Sequence, residues 1–480
     1  MSEAGTFGRP AGWGSEEDPP RFPGTCDNIL EAVGWTPLVR LNRMTRGIRT
    51  PVFGKAEYLN PGGSVKDRIG FAILDDAERE GRLKPGGTVV EGTSGNTGIG
   101  LAIAAAIRGY RCVFTIPDKM SQEKVRLLKA FGAEVIVTPT AVPVDHPDYY
   151  VMVAKRIAET TPNAILANQF YNQANPEAHY ATTGPEIWTQ TGGRVTHFVA
   201  SPGTGGTISG TAKYLKERNP DVRVVAGDPE GSLFAEYHRT GELVQGHPYK
   251  VEGIGNDKIP STLWIDYIDE IRTVDDRTSF LTARRLTREE GLFVGGSAGL
   301  IAHVALEVAR ELDDPDACVV FLLCDTGERY LSKAYSDEWL RENRMLPPAA
   351  PTRATDLVAD KDEGAPAELI SVDPGTTVRR ALALLAESNI SQLPVLEGGD
   401  CVGSVSEAVL MASVIADPTA IERGVESMLE PPFPVVDASA TPDSLAPLLT
   451  RGNAAVLVRR GGAIDGILTR HDMVRHLTGR

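Results

Sequence analysis

Three glycine-rich segments carry the residue types that do chemistry. The first, Asn60-Pro-Gly-Gly-Ser-Val-Lys66-Asp-Arg-Ile, places a lysine just after a Gly-Gly pair, at the start of a helical stretch. A lone lysine is ordinarily a solvated surface charge. A lysine in a crowded glycine turn is also well placed to condense with a carbonyl. The second segment, Glu91-Gly-Thr93-Ser94-Gly-Asn96-Thr97-Gly-Ile-Gly, reads as a tight turn with a helix cap or as a loop that touches a ligand. The third, Ser201-Pro-Gly203-Thr204-Gly205-Gly206-Thr207-Ile, follows a β-rich run directly and opens a helical one. Glycines let backbone approach a ligand, and a helix N-terminus offers free N–H groups and a favourable dipole. This loop is a phosphate cup or an ordinary strand–helix turn; it lacks the Lys-Ser/Thr ending of an ATP-type loop.

The elements that must position these segments alternate. Residues 88–91, 111–116, 133–137, 195–200, 222–227 and 317–324 read as strands, and 97–108, 121–131 and about 207–218 as helices. Strands separated by 10–15-residue helices predict βαβ units, hence an α/β fold with a mostly parallel sheet. In such sheets ligands bind at the carboxyl ends of strands, which is where the polar glycine-rich segments are to be sought.

A break follows Met345. Residues 346–368 carry four prolines and mixed charges without periodicity, which reads as a linker. Beyond it lies a repeat: Asp373 and Asp437 are 64 residues apart, as are Asn389 and Asn453. Each copy runs from a short helix into a strand (392–396 or 454–458), then a second strand and helix, so 369–480 reads as a pseudo-twofold pair of modules. Residues 1–27 read as a disordered leader rich in Gly, Pro and acids, without an apolar signal core.

Composition limits the function class. The chain has 480 residues, 41% hydrophobic and 24% charged, enough to bury cores in roughly two to four domains. Lys plus Arg number 49 against 64 Asp plus Glu, a formal charge of −15, which argues against a nucleic-acid partner held by phosphate contacts. No apolar run reaches the ~20 residues that span a membrane. None of the five cysteines forms Cys-x-x-Cys, so they read as small hydrophobic residues in a reducing cytoplasm. The first histidine is His146, so no Cys/His metal or haem pair comes from the N-terminal region, and no metal is expected.

Taken together and in order, Gly34-Trp-Thr-Pro-Leu, Pro61-Gly-Gly-Ser-Val-Lys-Asp-Arg, Thr93-Ser-Gly-Asn-Thr-Gly, Gly203-Thr-Gly-Gly-Thr and Gly295-Gly-Ser-Ala-Gly resemble a known family. It is the pyridoxal-phosphate β-replacement family of cystathionine β-synthase and cysteine synthase. The C-terminal repeat resembles the tandem CBS module of cystathionine β-synthases. The resemblance implies a tryptophan-synthase-β-like fold of two doubly wound subdomains over 28–345, and pyridoxal 5′-phosphate as cofactor without haem. It implies that Lys66 holds the cofactor covalently and moves the Cα proton, that Asn96 bonds its ring oxygen and that Gly203, Thr204, Gly205, Gly206 and Thr207 bind its phosphate. Ser297 then faces the pyridine nitrogen, while Thr93, Ser94, Asn96, Thr97, Gln169 and Gly253 bind the substrate. The implied reaction condenses L-serine with L-homocysteine to cystathionine and water in a cytoplasmic homo-oligomer, a dimer or tetramer.

Two segments lean toward cysteine synthase, which uses O-acetylserine and sulfide. They are Asn168-Gln-Phe170, with Phe170 where cystathionine β-synthases usually have tyrosine, and Cys324-Asp-Thr-Gly-Glu-Arg-Tyr-Leu-Ser. In the tail, Gly466-Ile-Leu-Thr469-Arg-His-Asp472 matches the module's ribose-binding signature, implying S-adenosylmethionine on Thr469 and Asp472. The first copy, Gly403-Ser-Val-Ser406-Glu-Ala-Val409, has valine where the carboxylate belongs, so one nucleoside site is expected.

Overall fold

The computed structural model describes residues 25–478 except 94, 119, 121, 140–141, 144–145, 349–351, 360–368 and 451–452. Most of the sequence-predicted leader lies outside the described residues. The chain divides at Pro347/Pro348 into two compact units.

The first unit begins with β1 (Leu38–Arg40), β2 (Val52–Ala56) and α1 (Lys66–Arg79). Next come β3 (Thr88–Gly92), α2 (Asn96–Arg108), β4 (Arg111–Pro117), α3 (Gln122–Ala130), β5 (Glu134–Thr138), α4 (Tyr150–Thr160) and β6 (Ala164–Leu166). Helices α5 (Ala174–Ala181) and α6 (Thr183–Gln190) lead to β7 (His197–Ala200), α7 (Gly206–Arg218), β8 (Arg223–Pro229) and α8 (Phe234–Thr240). The unit closes with β9 (Glu270–Val274), α9 (Asp276–Arg285), α10 (Gly296–Leu312), β10 (Val319–Leu323) and α11 (Asp337–Glu342).

Two sheets result. One is fully parallel, in the order β5-β4-β3-β6; the other runs β1-β2-β10-β7-β8-β9, parallel except where β1 meets β2. β10 reads Val-Val-Phe-Leu-Leu and is buried along its whole length, as a central parallel strand covered on both faces must be. The predicted strands and helices are all present to within about two residues. β1, β2, β6 and β9 escape a sequence reading because three to five residues carry too little periodicity.

A buried ionic cluster ties the start of this unit to its middle. Lys55 Nζ lies 2.6 Å from Glu186 Oε2, Arg68 Nε 2.7 Å from Glu57 Oε2, and Arg68 Nη1 2.6 Å from Glu186 Oε1. Lys55 also donates to the Thr36 carbonyl at 2.6 Å. Burial pushes the Glu57 carboxyl up, but the Arg68 guanidinium outweighs it and holds the group at about 2. Every charge is thereby paired, which is the condition for keeping four of them out of water.

The second unit begins inside the predicted linker, and here the structure corrects the sequence. α12 (Ala354–Ala359) buries Ala354 and Leu357 against Leu445, Val456, Val458 and Leu468. One and a half turns are too short to show a helical period, so its packing was invisible until the tail core was assembled. α13 (Val378–Glu387), β11 (Gln392–Glu397), β12 (Asp400–Ser406) and α14 (Glu407–Ala416) form the first copy. β13 (Val435–Asp437), α15 (Pro442–Leu445), β14 (Ala455–Arg460), β15 (Ala463–Thr469) and α16 (Arg470–Thr478) form the second. Both hairpins turn on a Gly-Gly pair at positive φ, Gly398-Gly399 (61° and 90°) and Gly461-Gly462 (57° and 95°), as a two-residue hairpin turn of this hand requires. The copies differ in their first helix, ten residues in α13 but four in α15. Among the described residues no helix is long and apolar enough to cross a membrane.

Candidate active site

Lys66 is the first residue of α1 and sits where that helix meets the end of β10. Val65 N–H donates to the Cys324 carbonyl at 2.9 Å, and Ser64 bridges to Asp325. The turn before it is pinned from inside: Gly63 N–H reaches the Asn60 carbonyl at 2.7 Å, and Asp67 accepts from Gly62 N–H. Burial lowers the pKa of the Lys66 amine, while Cys324 and the Asp325 and Glu57 carboxylates pull the other way without reversing it. That favours the uncharged amine, the form that attacks a carbonyl and accepts a proton.

The second loop is fixed to the first by direct backbone contact. A Cβ on Gly70 of α1 would lie 2.2 Å from the carbonyl carbon of Gly100 in α2, and one on Gly100 would lie 2.5 Å from the Lys66 carbonyl oxygen. Only glycine at both positions lets the two helices approach this closely. Thr93 Oγ1 accepts from Gly95 N–H at 3.1 Å, so the loop folds back on itself before α2 starts. Thr97 donates its hydroxyl to Gln169 Oε1 at 2.6 Å, bringing these two predicted substrate residues together. The Gln169 amide also donates to the Glu91 carboxylate, which leaves it one N–H to offer. Asn96 Nδ2 lies 2.8 Å from Asp325 Oδ2, and its Oδ1 accepts from Arg329, which also donates to the Gly62 carbonyl. One N–H of the Asn96 amide remains for a ligand. Ser94 lies outside the described residues.

The third loop joins β7 to α7. Gly205 has φ +85°, and a Cβ on Gly203 would fall 2.5 Å from the Gly253 carbonyl oxygen. The predicted Gly253 is thus brought against the loop. Thr262 donates to the Thr204 carbonyl at 2.6 Å, closing the loop from outside. α7 follows at once, so its first N–H groups face the loop's interior. Ser297, near the start of α10, is buried with its hydroxyl bonded to the Cys324 thiol, which burial pushes up to about 12 and so keeps neutral. This revises the reading of Cys324 as a plain core residue. Cys112, in β4, and Cys318, just before β10, are buried as expected.

Several contributors were missed. Glu252 accepts from Lys333 at 2.5 Å and from Lys124, so two ammonium groups frame the segment that carries Gly253. Glu91 holds the Gln169 turn through the backbone, accepting from Asn168 N–H at 2.7 Å. Asp325 and Arg329 lie in the Cys324–Ser332 segment, but nothing local assigns them to Asn96. Glu91 opens the second glycine-rich segment and Glu252 precedes Gly253, but their partners are distant in sequence.

The residues present fit pyridoxal phosphate. A low-pKa amine meets its aldehyde, a glycine cup at a helix N-terminus meets its phosphate, and the uncharged Ser297 hydroxyl is available to the pyridine nitrogen.

In the second unit a cavity of about 510 Å³ lies between the two copies. Its walls include Ile370, Ile390, Phe433, Ile467, Glu407 and Thr469. Thr469 donates its hydroxyl and its N–H to Asp472 Oδ2, at 2.8 and 2.7 Å, so the two predicted regulatory residues stand together. In the first copy Ser406 accepts only from Val409 N–H, at 3.4 Å.

Comparison with known proteins bears on this geometry. Residues 29–325 match the family described as pyridoxal-phosphate dependent enzyme, and residues 367–415 match the CBS domain. The cystathionine beta-synthase of Rattus norvegicus is 39% identical over 92% of this chain and 79% of its own length. Cysteine synthase 1 of Neurospora crassa is 44% identical over 67% of this chain and 87% of its own. The crystal structure of an O-acetylserine dependent cystathionine beta-synthase from Helicobacter pylori superposes with a TM-score of 0.59 at 37% identity, covering 64% of this chain and 98% of that one. The chain is a pyridoxal-phosphate-dependent lyase and belongs, with its C-terminal CBS domain, to the family of cystathionine β-synthases.

Proposed function

We propose that this enzyme joins L-serine to L-homocysteine, giving cystathionine and water. The observation that carries the choice of nucleophile is Glu252 bracketed by Lys124 and Lys333 beside Gly253. Ammonium groups at that edge suit a thiol that brings its own carboxylate. The match to cystathionine β-synthases runs through the tail, which supports the same reading.

Bound pyridoxal phosphate supplies the electron sink that lets an amino acid lose its Cα proton and its β-substituent. The chain supplies the rest. Lys66 would hold the cofactor, and its uncharged Nζ is the atom that would take the Cα proton. Ser297 would present a neutral hydroxyl to the pyridine nitrogen, which does not call for a proton there. Thr93, Thr97 and Gln169, with Ser94 and Asn96, clamp the substrate carboxylate. The 203–207 loop takes the phosphate.

Competition decides the nucleophile. With serine and then O-acetylserine as first substrate, homocysteine and sulfide are supplied together and the products quantified. Cystathionine is expected to dominate with serine. Cysteine dominating with O-acetylserine, and no product from serine, would establish the second reading, an O-acetylserine sulfhydrylase. Phe170 and the Gly327–Tyr330 segment favour that second reading.

For the tail we infer a single S-adenosylmethionine site in the 510 Å³ cavity. Its wall is mixed, with Asn389, Ser391, Gln392, Glu407 and Thr469 as polar members and no Lys or Arg among the described lining residues, which suits a cationic adenosyl ligand better than a nucleotide phosphate. Calorimetry is expected to show S-adenosylmethionine binding to the wild type, much weaker binding to Asp472→Ala, and none of ATP. Equal affinity in wild type and variant would remove Asp472 from the site.

A further inference from the structure

Helix α5 stands behind the third glycine loop and presents two side chains one turn apart to it. Asn175 and His179 are four residues apart and share a helix face. Both are buried, 1% and 0% exposed. Close packing fixes that face against α7: a Cβ on Gly206 would lie 2.0 Å from Asn175 Oδ1, and one on Gly210 1.9 Å from the Pro176 carbonyl oxygen.

The direction of each hydrogen bond follows from partners with a single role. Asn175 Nδ2 lies 2.8 Å from the Gln169 carbonyl oxygen, which only accepts, so the amide nitrogen faces that side. The same nitrogen is 3.0 Å from Thr204 Oγ1 and donates to it. Gly206 N–H also reaches this oxygen, at 3.4 Å. Thr204 Oγ1 thus accepts from two groups that cannot accept in return, and its own proton is directed elsewhere.

His179 repeats the arrangement. Its Nδ1 is 2.8 Å from Thr183 Oγ1 and its Nε2 is 3.2 Å from Thr207 Oγ1. Burial, with Arg68 and Lys66 nearby, keeps the imidazole neutral, so one nitrogen donates and the other accepts. The Thr183 hydroxyl is buried and needs an acceptor, which Nδ1 provides. Nε2 then carries the hydrogen and donates to Thr207.

We propose that α5 positions the phosphate-binding hydroxyls: Asn175 donates to Thr204 and His179 to Thr207, turning both threonine protons toward the anion before it arrives. This rests on residues 203–207 being the phosphate loop. The two oriented hydroxyls add to the N–H groups of the first turn of α7, and they do so without a cationic side chain. The same Asn175 amide holds the Gln169 carbonyl, so the phosphate loop and the carboxylate clamp share one brace.

The test compares pyridoxal 5′-phosphate with pyridoxal, which lacks the phosphate, on full-length protein stripped of cofactor. Thr207→Val, His179→Leu and the double variant are titrated with each. His179→Gln, whose amide N–H replaces the Nε2 hydrogen, serves as the conservative variant, and the ³¹P resonance of the bound cofactor is recorded. Thr207→Val and His179→Leu are each expected to weaken pyridoxal 5′-phosphate by roughly tenfold, the worth of one hydrogen bond to a charged acceptor. The double variant should bind no more weakly than the poorer single variant, His179→Gln should stay near wild type in affinity and ³¹P shift, and pyridoxal should be indifferent throughout. A His179→Leu protein that loses both ligands alike shows a histidine that only supports the fold, and overturns the proposal. So do additive losses in the double variant. If Thr207→Val spares the phosphate-bearing ligand, residues 203–207 are not the phosphate loop, and the proposal falls with that reading.

Discussion

Single residues that touch no substrate do much of the positioning, and Glu91 shows how. Its carboxylate accepts from Asn168 and Gln169 N–H at 2.7 and 3.3 Å and so holds Asn168 in the left-handed region, at φ +55°. Burial pushes the group up to about 7 despite those donors and the Gln169 side chain. The folded chain therefore binds this proton more tightly than the unfolded chain does. Stability present at low pH is lost as the pH climbs from about 4.5 toward about 7. Glu91→Gln removes the titration, so thermal unfolding of the variant should change less between about pH 5 and pH 7.5 than that of the wild type. An identical pH dependence in the two proteins would contradict this. The turns that carry Lys66, Thr93, Gly203 and Thr207 are legible in the sequence because glycines mark them. Glu91 is not, because its partners are 77 and 78 residues further on, and Lys124 lies 128 residues from Glu252.

Whole elements were easier to read than their contacts. β10 and α2 announce themselves by apolar runs, and the alternation of strands and helices gives the parallel sheets. The order of strands does not follow from any local pattern: β10, near the end of the first unit, lies between β2 and β7. Nor does the depth at which α1 and α2 pack. At the Gly70–Gly100 contact two competing effects set the outcome of Gly70→Ala. Alanine favours the helix by about 1 kcal/mol, but a Cβ 2.2 Å from backbone must push α1 away from α2. The clash wins, with a net destabilisation of about 1–3 kcal/mol in chemical denaturation. Because the displaced backbone includes the Lys66 carbonyl, the variant should also hold its cofactor more weakly, as read from visible absorbance. A variant of unchanged stability and absorbance would show that the helices separate freely.

At the scale of the whole molecule, every described residue assigned to cofactor and substrate lies before Pro347, and the 510 Å³ cavity proposed for the adenosyl ligand lies after it. A chain ending at Pro347 is therefore expected to fold, retain pyridoxal phosphate and lose its heat of binding to S-adenosylmethionine. Loss of the cofactor from the shortened chain would contradict this division. The charge of −15 bears on neither site, since each ligand meets specific loops and walls, and it serves solubility. The buried ionic cluster of Lys55, Glu57, Arg68 and Glu186 has a consequence for how such a sequence drifts. Removing one member leaves a stranded charge at a cost of about 3–5 kcal/mol, comparable to the margin that keeps a domain folded. Two or more members must change together before selection tolerates either. The stretch from Thr36 to Arg68 and the helix around Glu186 are therefore inherited as one unit, and an exchange of either segment between relatives succeeds only when the other travels with it.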